Sequence, residues 1–93
     1  MVANLYIYDE KNCTGESKQF TKDVPDLRAL RHKLGNWNDE AVSFDIQGGQ
    51  WIFCEDVDYG GRRIGPLGKG AKGNLEDYGI PANWISSIKK HSD

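Results

Sequence analysis

The chain has 93 residues, the length of one domain, and its 12 Lys and Arg against 14 Asp and Glu give a formal charge of −2. A chain this short buries only about two-thirds of the surface that it exposes when unfolded, which excludes a large catalytic cleft between domains. The near balance of charges disfavours a protein that binds nucleic acid by neutralising phosphates. With 38% hydrophobic residues and 11 glycines, the composition predicts a folded chain with many tight turns.

Nothing in the sequence indicates a membrane protein or a secretion signal. The longest apolar stretches, residues 5–8 and 51–54, have the length of strands. Residues 1–4 lack the basic region and apolar stretch of a signal peptide. We therefore expect no membrane partner, and the localisation stays open, with the cytoplasm as the default.

The first half of the chain is predicted to contain strands and one helical connection. Leu27, Leu30 and Leu34 recur at helical spacing, Asp26 can cap the first turn, and Gly35 can end it. This pattern predicts a short helix or a helical turn. Strands are predicted at residues 4–8, 17–20 and 42–47.

The second half repeats this order with a shorter connection. Residues 74–79 predict barely one helical turn. The glycine-rich residues 68–73 superficially resemble a phosphate loop but lack its Gly-Lys-Ser/Thr ending, so we expect a flexible loop there. Strands are predicted at residues 51–54, 62–65 and 85–90.

The two halves are copies of one pattern. Residues 5–15 match residues 51–61, which lie 46 positions later, and residues 38–44 match residues 82–88. Two β units packed face to face would bury each other's apolar side. The sequence therefore predicts one all-β domain over residues 1–93, with motif one at about 4–47 and motif two at about 50–91.

These paired signals resemble the βγ-crystallin family. Its motif has an aromatic residue, a second aromatic five positions later and a glycine two positions after that. The matching residues are Tyr8, Cys13 and Gly15 in the first copy and Cys54, Tyr59 and Gly61 in the second, with cysteine at one aromatic position of each. In the family, the glycine lets a hairpin fold back over the sheet at positive φ. The resemblance implies a β-sandwich of two Greek-key motifs with a short helical connection.

The resemblance extends to the segment Asn-Asp-x-x-Ser/Thr-Ser, which binds calcium in microbial members and corresponds here to residues 38–43 and 82–87. Calcium takes roughly six to eight oxygen ligands. The family pattern implies a clamp shared between the copies, with one side-chain oxygen, main-chain carbonyls and a hydroxyl. The implied ligands are Asp9, Asn38 and Glu40 in the first copy and Glu55, Trp84 and Ser86 in the second.

Two positions of this clamp depart from the family pattern. Val42 stands where a hydroxyl belongs, and Ala82 stands where Asn or Asp belongs. Neither side chain offers an oxygen, so we expect one or two weakened sites. The sequence leaves open whether both losses fall on one site. Ser43 and Ser87, at the last position of each segment, are implied to anchor the hairpins; the alternative is a strand serine on a solvated face.

The tryptophans allow a second interpretation. Trp37, Trp51 and Trp84 could form a platform on which sugars or bases stack, although such residues more often belong to the core. We expect Trp51 to be packed. Trp84 is the best candidate for an exposed aromatic residue.

The cysteines and histidines do not predict an active site. Cys13 and Cys54 are too few for a disulfide framework or a structural zinc site, and we expect two free, partly buried thiols. A catalytic cysteine needs a histidine partner, and the candidates are His32, in the predicted helical connection, and His91, in the tail. We therefore expect no enzymatic activity.

Together these features predict a monomeric βγ-crystallin-type structural protein that binds Ca²⁺ and is stabilised by it. Its protein partners stay open. Two alternatives remain: a calcium-independent structural or interaction module of the same fold, and a carbohydrate-binding β-sandwich that uses exposed tryptophan.

Overall fold

The computed structural model describes residues 3–32, 35–37, 40–81 and 84–92. Short 3-10 turns at Lys11–Cys13, Leu27–Ala29, Val57–Tyr59 and Leu75–Tyr78 interrupt the strands. No helix within the described residues is long and apolar enough to span a bilayer. The prediction of an all-β fold is confirmed. Within these ranges the chain forms nine strands: β1 (Asn4–Glu10), β2 (Thr14–Phe20), β3 (Arg31–His32), β4 (Gly35–Asn36), β5 (Ser43–Gly48), β6 (Gln50–Cys54), β7 (Arg63–Gly68), β8 (Lys72–Asn74) and β9 (Ser87–Ser92).

The main strands form two antiparallel sheets that exchange segments. The first sheet has the order β2–β1–β5–β8 and the second has the order β7–β6–β9, while β3 and β4 form a separate short hairpin. Strand β8 comes from the second half of the chain but pairs with β5 of the first half. In return, Val24 of the first half forms a bridge with Ile88 of β9. Because main-chain hydrogen bonds cross in both directions, the two halves fold as one unit.

The core lies between the two sheets and is aromatic at its centre. In β1, Leu5 and Ile7 are fully buried and alternate with partly exposed tyrosines, as expected for a sheet with one face on the core. Phe44 of the first sheet meets Phe53 of the second edge to face, with ring centroids 5.3 Å apart. Burying one such ring stabilises the fold by about 1.5–3 kcal/mol. Trp51 is fully buried, as predicted.

The helical connection is shorter than the leucine spacing allows. It consists of the 3-10 turn Leu27–Ala29, where the Asp26 carboxylate accepts the Arg28 N–H at 2.9 Å. Val24 and Leu27 donate their N–H groups to carbonyls of the second half. A longer helix would need the Leu27 and Leu30 carbonyls as acceptors within the helix, but both accept the Trp37 N–H, and β3 pairs with β4 directly after the turn. These contacts limit the helix to one turn. Gly35 belongs to β4 and does not end a helix. Leu34 lies outside the described residues.

The prediction of a loop at 68–73 is wrong at both ends and holds only for residues 69–71. Strand β7 continues to Gly68 and β8 begins at Lys72, with a tight turn between them. Ile46 of β5 donates its N–H to the Ala71 carbonyl and accepts the Gly70 N–H, at 2.9 and 3.0 Å. The open edge of β5 offers these donors and acceptors, which glycine-rich composition does not reveal.

Candidate functional site

Each half begins with a hairpin that contains the same unusual turn. Two consecutive non-glycine residues adopt positive φ in each hairpin, between 55° and 64°. The left-handed conformation costs an L-residue about 1–2 kcal/mol, so neighbouring contacts must hold these turns. The residues are Asn12 and Cys13 in the first half and Asp58 and Tyr59 in the second.

A buried serine holds the first hairpin. The Ser43 hydroxyl accepts the Cys13 N–H at 2.9 Å and donates to the Glu10 carbonyl at 2.5 Å. The serine is fully buried, so its two bonds are shielded from water. Gly15 follows with φ of 82°, and a β-carbon there would collide with the Asp9 carboxylate.

The second hairpin has the same arrangement. The Ser87 hydroxyl accepts the Tyr59 N–H at 3.0 Å and donates to the Asp56 carbonyl at 2.5 Å. Ser87 is also fully buried, and Gly61 has φ of 69°. The two serines therefore do not lie on a solvated face; each ties a strand to its folded hairpin.

Main-chain hydrogen bonds bring Ser86 beside the loop of the first half. The Ser86 carbonyl accepts the Leu27 N–H at 3.0 Å, and the Leu27 carbonyl accepts the Trp37 N–H at 3.2 Å. Glu40 then donates its N–H to the Trp37 carbonyl at 3.2 Å. The loop that contains Glu40 is thus joined through Leu27 to Ser86. Asn38 lies outside the described residues.

Asp9 lies at the strand end next to the same loop. The Val42 N–H donates to the Tyr8 carbonyl at 2.8 Å, so the end of β1 adjoins the segment that follows Glu40. The Asp9 carboxylate accepts the Glu16 N–H at 2.8 Å across the hairpin. Of the predicted first-half residues, Asp9 and Glu40 are therefore brought to one end of the sandwich.

The same reasoning assigns Val42 to the loop of the second half. The Val42 carbonyl accepts the Leu75 N–H at 2.9 Å, and the Leu75 carbonyl accepts the Ile80 N–H at 3.0 Å. Ala82 lies outside the described residues. Of the two positions that lack an oxygen, Val42 is therefore the one that the structure places beside the second half.

Glu55 and Trp84 meet in the second half around a residue that sequence reasoning missed. Arg62 donates its N–H to the Glu55 carboxylate at 3.2 Å, and its guanidinium approaches the same carboxylate at 3.4 Å. The Arg62 N–H, more than the guanidinium, holds the pKa of Glu55 below its ordinary value. The guanidinium carbon lies 5.4 Å from the centre of the Trp84 ring. One signal for Arg62 was available in the sequence: it stands at the position in the second copy that Glu16 occupies in the first, so the charge at this position changes sign.

Trp84 is not the exposed aromatic residue that the sequence predicts. Its side chain is half-buried against the core, and its indole nitrogen is buried without a hydrogen bond. That N–H nevertheless faces Glu55 and adds slightly to the lowering of its pKa. Trp37 is fully buried. Across the described residues, the tryptophans therefore form no open stacking platform.

Both cysteines are free, as predicted. The half-buried Cys13 thiol approaches the Phe44 carbonyl at 3.3 Å, and Cys54 is fully buried. In the described ranges, no three His, Cys, Asp or Glu side chains converge where a metal ion could sit. The implied calcium clamp draws on main-chain carbonyls, a hydroxyl and Asn38, and does not require such a cluster.

The exchanged strands, together with the hairpin that a buried serine anchors in each half, define a two-motif, Greek-key β-sandwich. The model of the Beta/Gamma crystallin family matches residues 4–90, and the chain belongs to this family. A comparison with curated proteins gives no match.

Solved structures of the family have the same fold. A βγ-crystallin from an archaeon is 33% identical, with a TM-score of 0.82 over 97% of this chain and 99% of that one. A βγ-crystallin domain from Flavobacterium johnsoniae is 27% identical, with a TM-score of 0.71 over 96% of this chain and 94% of that one. A βγ-crystallin from Ciona intestinalis is 20% identical, with a TM-score of 0.81 over 95% and 99%, and shows the fold alone.

Proposed function

We propose that this protein is a non-enzymatic, monomeric structural protein that binds Ca²⁺ at the clamp of its first half. The observation that carries the proposal is the ladder of main-chain hydrogen bonds from the first-half loop through Leu27 to Ser86. It supports a site that draws on both halves. The proposed ligands are the Asn38 side chain, the Ser86 hydroxyl and the carbonyls of Asp9 and Glu40.

The donor set suits calcium. All four groups offer oxygen, and water can complete the roughly six to eight ligands that calcium takes. Calcium tolerates irregular geometry, so carbonyls held by a strand end and a turn are suitable ligands. Because the ligands come from both halves, they converge only in the folded chain. Calcium should therefore stabilise the folded state by linkage.

A thermal melt of the metal-free protein with and without millimolar Ca²⁺ tests the proposal. At a concentration about 100 times Kd, binding adds about 2.7 kcal/mol, which for this size raises Tm by about 10–20 °C. Ser86→Ala should remove much of this rise, whereas Ser17→Ala on the exposed face of β2 should keep it. No change in Tm with Ca²⁺ would retire calcium and leave a calcium-independent structural or interaction module.

The structure disfavours the carbohydrate-binding alternative. Trp37 and Trp51 are fully buried, and Trp84 is partly covered by Arg62. A sugar-stacking site needs an open aromatic face, which these three side chains do not offer.

A further inference from the structure

We propose that Arg62 serves as a built-in cation at the second-half clamp, held by Glu55 and Trp84, and that the chain therefore binds one calcium ion and not two. The ion count rests on the function proposed above. The role of Arg62 does not, because its contacts are present without calcium.

The two hairpins differ in charge at one equivalent position. In each, the carboxylate of an acidic residue near the end of the first strand accepts the N–H of the residue seven positions later: Asp9 from Glu16 at 2.8 Å, and Glu55 from Arg62 at 3.2 Å. The first hairpin thus carries a second carboxylate there, and the second carries a guanidinium. In the second hairpin the positive charge of Arg62 therefore neutralises the Glu55 carboxylate. The first hairpin has no positive charge at the equivalent position.

Trp84 fixes the guanidinium from the other side. Trp84 and Glu55 are the two described residues whose carbonyls are implied ligands of the second clamp, and the guanidinium contacts the side chains of both. The 5.4 Å separation between the guanidinium carbon and the ring centre is within cation–π range. Arginine suits this place because its planar group can stack on a ring while it donates to a carboxylate.

The remaining ligands of the second clamp do not fit calcium. Val42, whose carbonyl accepts the Leu75 N–H of the second half, provides no side-chain oxygen, and by the family pattern Ala82 provides none either. A calcium ion here would also meet the positive charge of Arg62 at close range, and like charges at such distances repel. The Arg62 side chain is 72% exposed, so salt will screen this repulsion, and measurements belong at low ionic strength.

Calorimetric titration with Ca²⁺ at low salt tests the ion count. We expect one ion for the unchanged protein. In V42S/A82D, which restores both oxygens, a second ion should bind weakly, and adding R62E should tighten this second site at least tenfold. Adding R63E instead is the matched control, because it makes the same charge change one residue further on.

Two outcomes of the titration would overturn the proposal. In one, V42S/A82D binds its second ion equally well with Arg62 and with R62E. In the other, R63E tightens the second site as much as R62E does.

Fluorescence of the calcium-free protein tests the role of Arg62 without reference to calcium. Trp37 and Trp51 are fully buried, so a change at the surface reports on Trp84. Arg62→Gln should move the emission to longer wavelength, because water replaces the guanidinium on the ring, and should lower Tm by about 2–4 °C. Arg63→Gln should do neither.

The two measurements separate the two proposals. If the unchanged protein binds no Ca²⁺ but Arg62→Gln changes the emission, the proposed function fails and the internal cation stands. If Arg62→Gln and Arg63→Gln give the same emission as the unchanged protein, the internal cation fails whatever the protein binds.

Discussion

Val42 and Ser86 occupy the same main-chain position in the two halves, but only Ser86 carries a hydroxyl. The Val42 N–H donates to Tyr8 at the end of β1, and the Ser86 N–H donates to Cys54 at the end of β6, at 2.8 and 3.0 Å. Each carbonyl accepts an N–H from a leucine of the other half. At this position the halves share main-chain contacts and differ in one side-chain oxygen, which makes position 42 a direct test of the clamp.

Restoring oxygens to the second clamp should create a second calcium site. V42S together with A82D supplies a hydroxyl and a carboxylate, and we expect a second binding event in calorimetry that is weaker than the first while Arg62 remains. V42A with A82D is the control, since it removes the same methyl groups without adding a hydroxyl. If the restored variant gains no calcium affinity, the clamp geometry is assigned wrongly.

Removing either serine anchor should destabilise the fold. Ser43→Ala leaves the Cys13 N–H and the Glu10 carbonyl without their partner, and an unsatisfied buried polar group costs about 1–3 kcal/mol. Ser87→Ala should cost a similar amount. Urea unfolding measures the loss, with the exposed Ser17→Ala as the control. Equal stability of Ser43→Ala and Ser17→Ala would contradict the anchoring role.

Gly61→Ala should destabilise the protein more than Gly70→Ala. Both glycines have positive φ, of 69° and 97°, so both variants pay about 1–2 kcal/mol for an L-residue in this region. At Gly61 the new β-carbon would also lie 2.6 Å from the Asp56 carboxylate, whereas at Gly70 it meets nothing within 4 Å. The difference in Tm between the Gly61→Ala and Gly70→Ala variants measures the steric part of the destabilisation. An equal loss of Tm would show that the hairpin adjusts without cost.

The Asp26–Arg28 pair predicts a loss of stability in acid. Asp26 accepts hydrogen bonds from the Arg28 side chain and N–H, which hold its pKa below the ordinary 3.8. Its folded pKa is therefore the lower one, and its stabilising contribution is present above the unfolded pKa. That contribution disappears as the pH falls through the folded pKa.

We therefore expect the Tm to decrease as the pH falls below about 4, because the unfolded chain then takes up a proton at Asp26 that the folded chain still excludes. Asp26→Asn should decrease this dependence relative to Asp77→Asn, a carboxylate on the exposed 3-10 turn Leu75–Tyr78. An identical pH profile for the two variants would contradict the contribution of Asp26.

The two thiols should react at different rates. Cys54 is fully buried and burial raises its pKa, so it holds little thiolate at neutral pH. Cys13 is only half-buried. Alkylation of the native protein should label Cys13 first and Cys54 only on unfolding. Cys13→Ser should remove the fast reaction, and equal labelling of both thiols in the native protein would be inconsistent with the burial of Cys54.

Much of the fold could be predicted from local sequence patterns. The alternation in residues 4–8 and the strand-forming run at 51–54 predict β1 and β6, because the two faces of a strand meet different environments. The repeat spacing paired Ser43 with Ser87 and Gly15 with Gly61, since each serine and the hairpin that it anchors lie within one copy. The sequence could predict these features because each depends on residues close in the chain or on the repeat itself.

The tertiary structure decided what depends on contacts between segments that are not adjacent in the chain. The leucine spacing at 27–34 predicts a helix, yet the Leu27 and Leu30 carbonyls accept the Trp37 N–H and β3 pairs with β4. The edge of β5 turns a predicted loop into β8. Long-range main-chain pairing leaves no local period in the sequence, so only the folded chain could reveal it.

The candidate site divides in the same way. The sequence by itself determined which residue types stand at the clamp positions, and that Val42 and Ala82 lack the oxygens of the family pattern. Only the tertiary structure decided that Val42 pairs with Leu75 of the second half and that Arg62 meets Trp84. The physical reason is that a clamp shared between exchanged strands is defined by the hydrogen bonds that join them, and these connect residues far apart in the chain.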